Sequence, residues 1–164
     1  MTPVNRNPRE RCSGSVNRPD LDRYFMSIAK CVAERSTCLR HKIGAVLVYN
    51  KRIVATGYNG APTGMIHCCT TGCLRDKLNI PSGEQAQVCR AVHAEQNAIL
   101  QAVGAGASLV AASLYCTHHP CIICAKLLTQ VGVSMIIYET PYADRLSAEF
   151  LAEAGIAVRC LQDA

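Results

Sequence analysis

Hydrophobic positions follow helix and strand periods along most of the chain. After Asp20, a residue type that caps helices, apolar side chains recur at helical spacing as far as about Ser36. Apolar runs over 43–49 and 53–58 flank turn residues and predict a β-hairpin. Beyond residue 92 the two periods alternate, and the pattern predicts helix 93–104, strand 112–117, helix 120–132, strand 133–139, helix 147–155 and strand 156–161.

This order of elements predicts an α/β fold, in which a mixed and mostly parallel sheet carries helices on both faces. Residues 1–18 are rich in Arg, Asn, Pro and Ser, which predicts a disordered basic tail before a single domain over 19–164. Residues 59–92 show neither period and are rich in Gly, Pro, Thr and Cys. A loop of that length inside a compact domain is usually functional, or is held by something other than a core.

Composition indicates a reducing compartment and draws attention to the cysteines. No apolar run approaches a membrane span, and the N-terminal residues lack the apolar segment of a secretory signal, so we expect a cytoplasmic protein with no membrane partner. The chain contains eleven cysteines, and an odd number without an export signal favours metal binding over a disulfide framework. Cys31 and Cys160 lie among apolar neighbours and are expected to be small core residues.

Positive charge is concentrated in the first third of the chain. Residues 1–52 hold eleven Lys and Arg against four Asp and Glu, a balance of +7, whereas the remainder holds six against eight, a balance of −2. A basic segment suits a ligand that carries phosphate, or nucleic acid. A solvated basic tail would give the same balance, so charge alone leaves these interpretations open.

Two short motifs place metal-binding side chains at the starts of two predicted helices. His93 and Glu95 form H-x-E in the first, and Cys121 and Cys124 form P-C-x-x-C in the second. A C-x-x-C pair alone fits a redox site or a zinc ribbon. With His93 it makes three ligands, which leave the fourth tetrahedral position open for water, as hydrolytic zinc requires. Glu95 lies in the same first turn as His93 and is assigned as the general acid and base.

Together, H-x-E and P-C-x-x-C are the signature of the zinc deaminases. The other potential ligands beside the second motif are not expected to bind the metal: Cys116 ends a strand, and His118 and His119 form the approach to the site. A zinc-stabilised binding module without activity is the alternative from a different class. An open coordination position beside a carboxylate argues against it, because a structural zinc site uses neither.

Further motifs outside this signature narrow the family. They are RSTCLRHKIGAV (35–46), GYNGAPTG (57–64), HCCTTGC (67–73), CRAVHAEQNAI (89–99) and PCIIC (120–124). With them the chain resembles the deoxycytidylate deaminases of the cytidine deaminase superfamily from about Tyr24 to Cys160. The resemblance implies a cytidine deaminase-like fold, which is a three-layer α/β/α sandwich around a mixed five-stranded sheet. It also implies zinc-dependent hydrolytic deamination of dCMP to dUMP with release of ammonia, which supplies dUMP for thymidylate synthesis.

The resemblance also assigns substrate contacts. Asn59 matches the residue that hydrogen-bonds the sugar, although a turn residue beside Gly60 would look the same. Thr117 is expected to line the pocket through its backbone. Candidates for the 5′-phosphate come from resemblance or charge, and a solvated surface position is an equal alternative for the arginines. Tyr142 ranks first, and the others are Arg40, Arg90 and Arg145.

A second, non-catalytic zinc is common in the family, and the cysteine-rich loop offers ligands for one. Such a metal would staple a segment that has too little core to order itself. The alternative is a set of reduced thiols. The expected ligands are Cys38, Cys68, Cys73 and Cys89, with His67 as a substitute.

The resemblance further implies a homohexamer regulated by dCTP and dTTP, with Mg²⁺ accompanying the nucleotide effectors. Residues 101–104 lack the aromatic and arginine side chains found at the corresponding positions of some regulated members, a departure that bears on the effector contacts. The rival within the superfamily is a deaminase of a free nucleoside, a base or tRNA adenosine. The GYNG segment and the cysteine-rich loop stand against that rival and against a nucleic-acid partner, because those relatives generally lack both.

Overall fold

One mixed sheet runs through the computed structural model, which describes residues 18–142 and 144–161. Its strands are β1 Gly44–Tyr49, β2 Arg52–Tyr58, β3 Ser113–His118, β4 Met135–Thr140 and β5 Ala157–Cys160. Their order across the sheet is β2-β1-β3-β4-β5. The tail predicted over residues 1–18 lies outside the described residues, apart from its last position.

Strand directions differ from the prediction of a mostly parallel sheet. β1 pairs antiparallel with both β2 and β3, whereas β4 pairs parallel with both β3 and β5. The sheet is mixed as predicted, but only half of its pairings are parallel. Hydrophobic period indicates where strands lie and not which way a neighbouring strand runs, so the antiparallel pairing of β1 with β3 had no signal in the sequence.

Helices cover both faces of this sheet. Within the described ranges they are α1 Leu21–Ala33, α2 Cys68–Thr71, α3 Leu74–Lys77, α4 Ala94–Gly104, α5 Ile122–Gln130 and α6 Arg145–Glu153, with a 3₁₀ turn at Ala86–Val88. Side chains of β1 alternate between two cores, as a pleated strand requires. One core lies under α4, α5 and α6, and the other lies under α1. The expected three-layer α/β/α sandwich is therefore confirmed.

α1 forms one outer layer by itself. Asp20 caps its N-terminus by accepting the backbone N–H of Arg23 at 2.8 Å. Its buried face packs on β1 and β3 through Phe25, Met26 and Ala29. Cys31 lies on the opposite face of the helix and is exposed, so the prediction that it is a core residue is wrong. Cys160, on the edge strand β5, is half-buried.

α4 lies unusually close to β2. A Cβ atom added at Gly57 would come 2.2 Å from the carbonyl oxygen of Ala94 and 2.4 Å from the backbone nitrogen of Ala98. Glycine is therefore the residue that allows the first turn of α4 to sit directly on the strand. The contact fixes the position of the helix N-terminus, where His93 is the N-cap.

None of the helices in the described part of the chain combines the length and the apolar character needed to cross a membrane.

Candidate metal centre

Three predicted ligands come together where α4 and α5 begin. The Sγ atoms of Cys121 and Cys124 each lie 3.4 Å from Nδ1 of His93. Across residues 18–142 and 144–161 this is the group of three potential ligands whose donor atoms all lie within 4.8 Å of one another. Both cysteines are buried and His93 is half-buried. The sequence placed these residues 28 and 31 positions apart, and the fold brings their side chains to one point.

Helix N-termini hold all three ligands. His93 is the N-cap of α4, and its backbone N–H donates to Oε1 of Gln96 at 2.8 Å. Cys121 is the N-cap of α5, and Cys124 lies in the first turn of that helix. The partial positive charge at a helix N-terminus stabilises thiolates, which are the form of cysteine that binds metal.

Mutual hydrogen bonds within the cluster perturb the acidity of its members. The bond with Cys124, and then the bond with His93, lower the pKa of Cys121 to about 4 against the opposing effect of burial. Burial lowers the pKa of His93, but the bonds from Cys121 and Cys89 outweigh it and raise that pKa to about 11. The bond with Cys121 raises the pKa of Cys124. Two sulfurs and one imidazole nitrogen are a set of ligand atoms that fits zinc. These atoms share protons through their hydrogen bonds, and a bound zinc ion would take the place of those protons.

Glu95 lies beside this cluster with one oxygen unpaired. The side chain is only 4% exposed, and Oε2 has no hydrogen-bond partner in the described residues. Burial raises the pKa of the Glu95 carboxyl, and the charge of His93 partly opposes that rise. A buried, unpartnered carboxylate oxygen is costly unless a ligand satisfies it. Glu95 lines one cavity together with His93 and Cys121, so that ligand would sit beside the metal-binding side chains.

Comparisons with known proteins agree with this arrangement. Residues 19–140 match the family model described as the cytidine and deoxycytidylate deaminase zinc-binding region. This chain belongs to the cytidine and deoxycytidylate deaminase family. It is 40% identical over 145 residues to the deoxycytidylate deaminase of Schizosaccharomyces pombe, and the match covers 87% of this chain and 44% of that protein.

Phage proteins give a fuller match to this member of the deaminase family. The chain is 41% identical over 128 residues to the deoxycytidylate deaminase of Mycobacterium phage D29, with 75% of this chain and 97% of that protein covered. Its fold superposes on a dCMP deaminase from the cyanophage S-TIM5, crystallised with dCMP and dUMP, with a TM-score of 0.72 and 30% identity. That match covers 88% of this chain and 98% of the phage chain. In contrast, the chain spans less than half the length of its yeast relatives.

Asn59 and Thr117, two predicted substrate contacts of this deaminase-family chain, are already engaged. Oδ1 of Asn59 accepts the hydroxyl of Ser36 at 2.6 Å and the backbone N–H of Ile43 at 2.9 Å, and Nδ2 donates to the carbonyl of His41 at 2.8 Å. One amide hydrogen of Asn59 is left for a ligand in the cavity that it lines. The Thr117 hydroxyl accepts the backbone N–H of Gly44 at 3.2 Å within the sheet. Their assignment to the substrate therefore stays a prediction.

Two phosphate candidates contact residues 80–84, which we call the cover segment. Nη1 of Arg40 donates to the carbonyl of Ile80 at 2.9 Å, and the Tyr142 hydroxyl accepts the N–H of Gly83 at 3.1 Å. Both Arg40 and Tyr142 line the cavity that contains Glu95. The cover segment is thus held in place by side chains that also face the site.

The two remaining phosphate candidates, Arg90 and Arg145, lie in different places. Arg90 lines the same cavity, and its Nε donates to the carbonyl of Ile66 at 3.0 Å. Arg145 is exposed on α6 and pairs with Glu149 at 2.8 Å. Of the three predicted arginines, Arg40 and Arg90 therefore reach the cavity, and Arg145 is held by a surface ion pair.

Arg75 is a cavity residue that the sequence did not reveal. It is only 7% exposed and lines the cavity, and its Nη2 donates to the carbonyls of Pro81 and Glu84, the latter at 2.6 Å. Its Nε has no partner in the described residues, and no ion pair of Arg75 occurs there. It lies in the four-residue helix α3, where no hydrophobic period distinguishes a buried arginine from a surface one.

The four cysteines predicted to bind a second zinc also line this cavity, and Cys89 is hydrogen-bonded to His93. Cys68 and Cys73 are buried, whereas Cys38 and Cys89 are half-buried. Among the described residues, no three of their sulfurs lie within 4.8 Å of one another. Burial raises the pKa of Cys68, and the nearby Cys38 and Cys73 add to that rise. His67, the predicted substitute, bonds through Nδ1 to the hydroxyl of Thr37 at 3.0 Å.

Proposed function

We propose that this protein is a zinc-dependent deoxycytidylate deaminase, which converts dCMP and water to dUMP and ammonia. The observation that carries the proposal is the unpaired, buried oxygen of Glu95 beside the cluster of His93, Cys121 and Cys124. A purely structural zinc site is closed by four protein ligands and has no use for an acid and base beside an open position. The names of the yeast and phage relatives, and the dCMP and dUMP in the cyanophage structure, support the choice of substrate.

The metal and Glu95 divide the chemistry. Zinc bound by His93, Cys121 and Cys124 would supply a Lewis acid that makes water nucleophilic near neutral pH. Glu95 accepts a proton from the attacking water and delivers it to N3 of the cytosine ring as C4 is attacked. Glu95 then takes the second proton, from the hydroxyl group now on C4, and delivers it to the amino group as the C4–N4 bond breaks and ammonia leaves. A pKa raised by burial moves the carboxyl toward neutral pH, where the group can both take up and release a proton.

Positive charge in the cavity supports a nucleotide substrate. Arg40, Arg75 and Arg90 all line it, whereas Glu95 is the acidic residue in that lining. A wall of guanidinium groups favours a 5′-phosphate over a free nucleoside. Arg75 is our first choice of the three to bind that group, because its buried Nε has no partner among the described residues. Arg40 already pairs with Asp76, and Nε of Arg90 already donates to the carbonyl of Ile66. Tyr142 and Asn59 remain our proposed further contacts, to phosphate and sugar.

Other features of the family are proposed here on resemblance. A second zinc would be bound by Cys38, Cys68, Cys73 and Cys89, with His67 as a substitute, and the presence of all four cysteines in the lining of one cavity supports it. Regulation by dCTP and dTTP with Mg²⁺, a homohexameric assembly and a cytoplasmic location complete the proposal. Metal analysis tests the second site: two zinc ions per chain are expected, and one would remove it.

Ammonia release from dCMP, deoxycytidine, CMP and dCTP tests the proposed substrate. We expect dCMP to give the highest kcat/KM and deoxycytidine to be poor, because the nucleoside offers no phosphate to the arginines. A kcat/KM that is higher for deoxycytidine or for a tRNA anticodon stem than for dCMP would instead identify the chain as one of the rival deaminases. If zinc-loaded protein released ammonia from none of these substrates, the proposed activity would be refuted.

A further inference from the structure

Asp144 holds the N-termini of two helices at once. One carboxylate oxygen accepts the backbone N–H of Ile122, the first residue of α5, at 2.8 Å. The other accepts the backbone N–H of Ser147 in the first turn of α6 at 3.1 Å. The loop before α6 therefore reaches across to the turn that holds the two metal-binding cysteines.

Ser147 completes this connection from the other side. Its hydroxyl donates to the carbonyl of Pro120 at 2.7 Å, and the residue is completely buried. The same carbonyl lies 2.9 Å from Nδ1 of His119, so two side chains converge on it. Asp144 and Ser147 are also joined to each other by the bond that caps α6.

The bonded groups flank one metal ligand. Pro120 and Ile122 are the residues immediately before and after Cys121, and each is held by a side chain near the start of α6. Cys121 itself is the N-cap of α5, so its backbone has extended and not helical angles, with φ −75° and ψ 167°. Fixing the peptide groups on both sides of such a residue fixes the direction of its Cα–Cβ bond, and with it the position of Sγ.

We propose that Asp144 and Ser147 are positioning residues for the metal centre, which set the place of the Cys121 thiolate by clamping the peptide groups around it. The inference rests on the proposed zinc chemistry, but it concerns metal binding and not the choice of substrate. Groups that orient metal ligands from behind commonly change metal affinity by about 10–100-fold when removed.

The test compares Asp144→Ala and Ser147→Ala with Asp20→Ala, using the full chain and zinc or cobalt alone as the probe. Asp20 caps α1 by a bond of the same kind, Arg23 N–H to carboxylate at 2.8 Å, but α1 lies on the face of the sheet opposite α5. Asp144→Ala and Asp20→Ala should lose a comparable amount of thermal stability through a lost helix cap. Ser147→Ala keeps the backbone N–H that Asp144 accepts and loses only the hydroxyl bond to the carbonyl of Pro120. Only Asp144→Ala and Ser147→Ala should weaken zinc binding, by about 10-fold or more in a competition titration with a chromophoric chelator.

Cobalt spectra give a second readout that ordinary capping would not change. The d–d bands of Co²⁺ bound to Asp144→Ala and Ser147→Ala protein should shift in energy or lose intensity as the tetrahedral geometry loosens. Asp144→Asn retains one acceptor oxygen and should restore part of the affinity, which covers the case in which the alanine variant does not fold. The inference would be overturned if folded Asp144→Asn and Ser147→Ala protein both bound zinc as tightly as the wild type and gave the same cobalt spectra as the wild type. Wild-type protein that binds no zinc would instead refute the proposed function.

Discussion

Glu95 differs from its neighbours in the metal centre because one of its oxygens has no hydrogen-bond partner within residues 18–142 and 144–161. The two cysteines are each hydrogen-bonded to His93, whereas Oε2 of Glu95 is buried without such a bond there. Keeping a carboxyl group in that state costs free energy, so the residue is better explained by a reaction than by stability. The H-x-E motif predicted that Glu95 lies beside His93, since it places the carboxylate about one half-turn from the histidine.

Replacing Glu95 with Gln should abolish turnover and leave zinc bound. The amide keeps the shape of the side chain but cannot carry a proton from water to the ring, so kcat should fall by about 10²–10⁴-fold or more. Zinc content measured by atomic absorption should be unchanged, because Glu95 is not a ligand in our assignment. Glu149→Gln, the same change at an exposed position on α6, is the control and should retain full activity. Full activity in Glu95→Gln protein would show that another group moves the proton.

Replacing Arg75 with Gln should lower activity on the nucleotide dCMP much more than activity on the nucleoside deoxycytidine. Loss of a buried charge-assisted contact to phosphate should lower kcat/KM for dCMP by about 10–100-fold, while the low activity on deoxycytidine changes little. Steady-state kinetics on both substrates measure the ratio, and Arg145→Gln serves as the surface control. An equal loss on both substrates would mean that Arg75 supports only the cover segment.

At the scale of elements, the close contact of β2 with α4 links the fold to the metal centre. The sequence predicted both elements, and the bounds differ by a few residues or fewer. It did not predict that Gly57 touches the first turn of α4, because a single glycine in a strand pattern fits a bulge equally well. The loop over residues 59–92 was the least predictable part, since its two short helices and its buried Arg75 have no periodic signal.

Gly57→Ala should therefore damage stability and metal binding together. The added Cβ would lie 2.2 Å from a backbone oxygen of α4, so the helix must move away from the sheet. Overpacking of this kind costs about 1–3 kcal/mol of unfolding free energy, and displacement of His93 should weaken zinc binding as well. Gly104→Ala is the matched control, because nothing lies within 4 Å of its added Cβ and alanine favours helix. If urea denaturation gave the two variants equal stability, the close contact would carry no energetic weight.

A second link between elements is made by the carboxylate of Asp22, so its strength depends on pH. Asp22 on α1 accepts the hydroxyl of Tyr115 on β3 at 2.7 Å and also pairs with Arg159 on β5. Burial alone would raise the pKa of Asp22, but the bonds from Tyr115 and Arg159 outweigh it and lower that pKa below the ordinary value of an aspartate. The stabilisation is thus complete above the unfolded-state pKa and is lost as pH falls through the lower folded-state value.

Asp22→Asn should accordingly remove a stabilisation that exists only above the acid range. With the carboxylate about one third exposed, screening limits the effect to about 1 kcal/mol or less at neutral pH. Urea denaturation of wild type and variant at pH 7 and at about pH 3 should show the difference shrinking in acid. When the chain also carries Tyr115→Phe, the stability difference between Asp22 and Asp22→Asn protein at pH 7 should be smaller. Tyr115→Phe removes one of the hydrogen bonds that lower the pKa of Asp22. A gap between wild type and Asp22→Asn that stays constant with pH would contradict this assignment.

For the whole molecule, one cavity joins the functional parts. It is lined by His93 and Cys121 of the metal-binding cluster, by Glu95, by three arginines and by the four loop cysteines. The sequence predicted that His93, Cys121 and Cys124 come together, because the spacing of these ligands is visible as a motif. The second zinc site of the loop cysteines stays a prediction. No motif pointed to Asp144 or Ser147, because their proposed role depends on α6 lying beside α5.

Zinc-dependent conversion of dCMP to dUMP by the purified full chain tests the central claim most directly. Metal-free protein should not convert dCMP, so the absorbance of the dCMP solution should stay constant. Added zinc should restore conversion, and the rate should stop rising once the site formed by His93, Cys121 and Cys124 is saturated. Glu95→Gln protein should bind the same zinc and remain inactive. Conversion at an undiminished rate without metal, or none by the zinc-loaded wild-type chain, would contradict the claim.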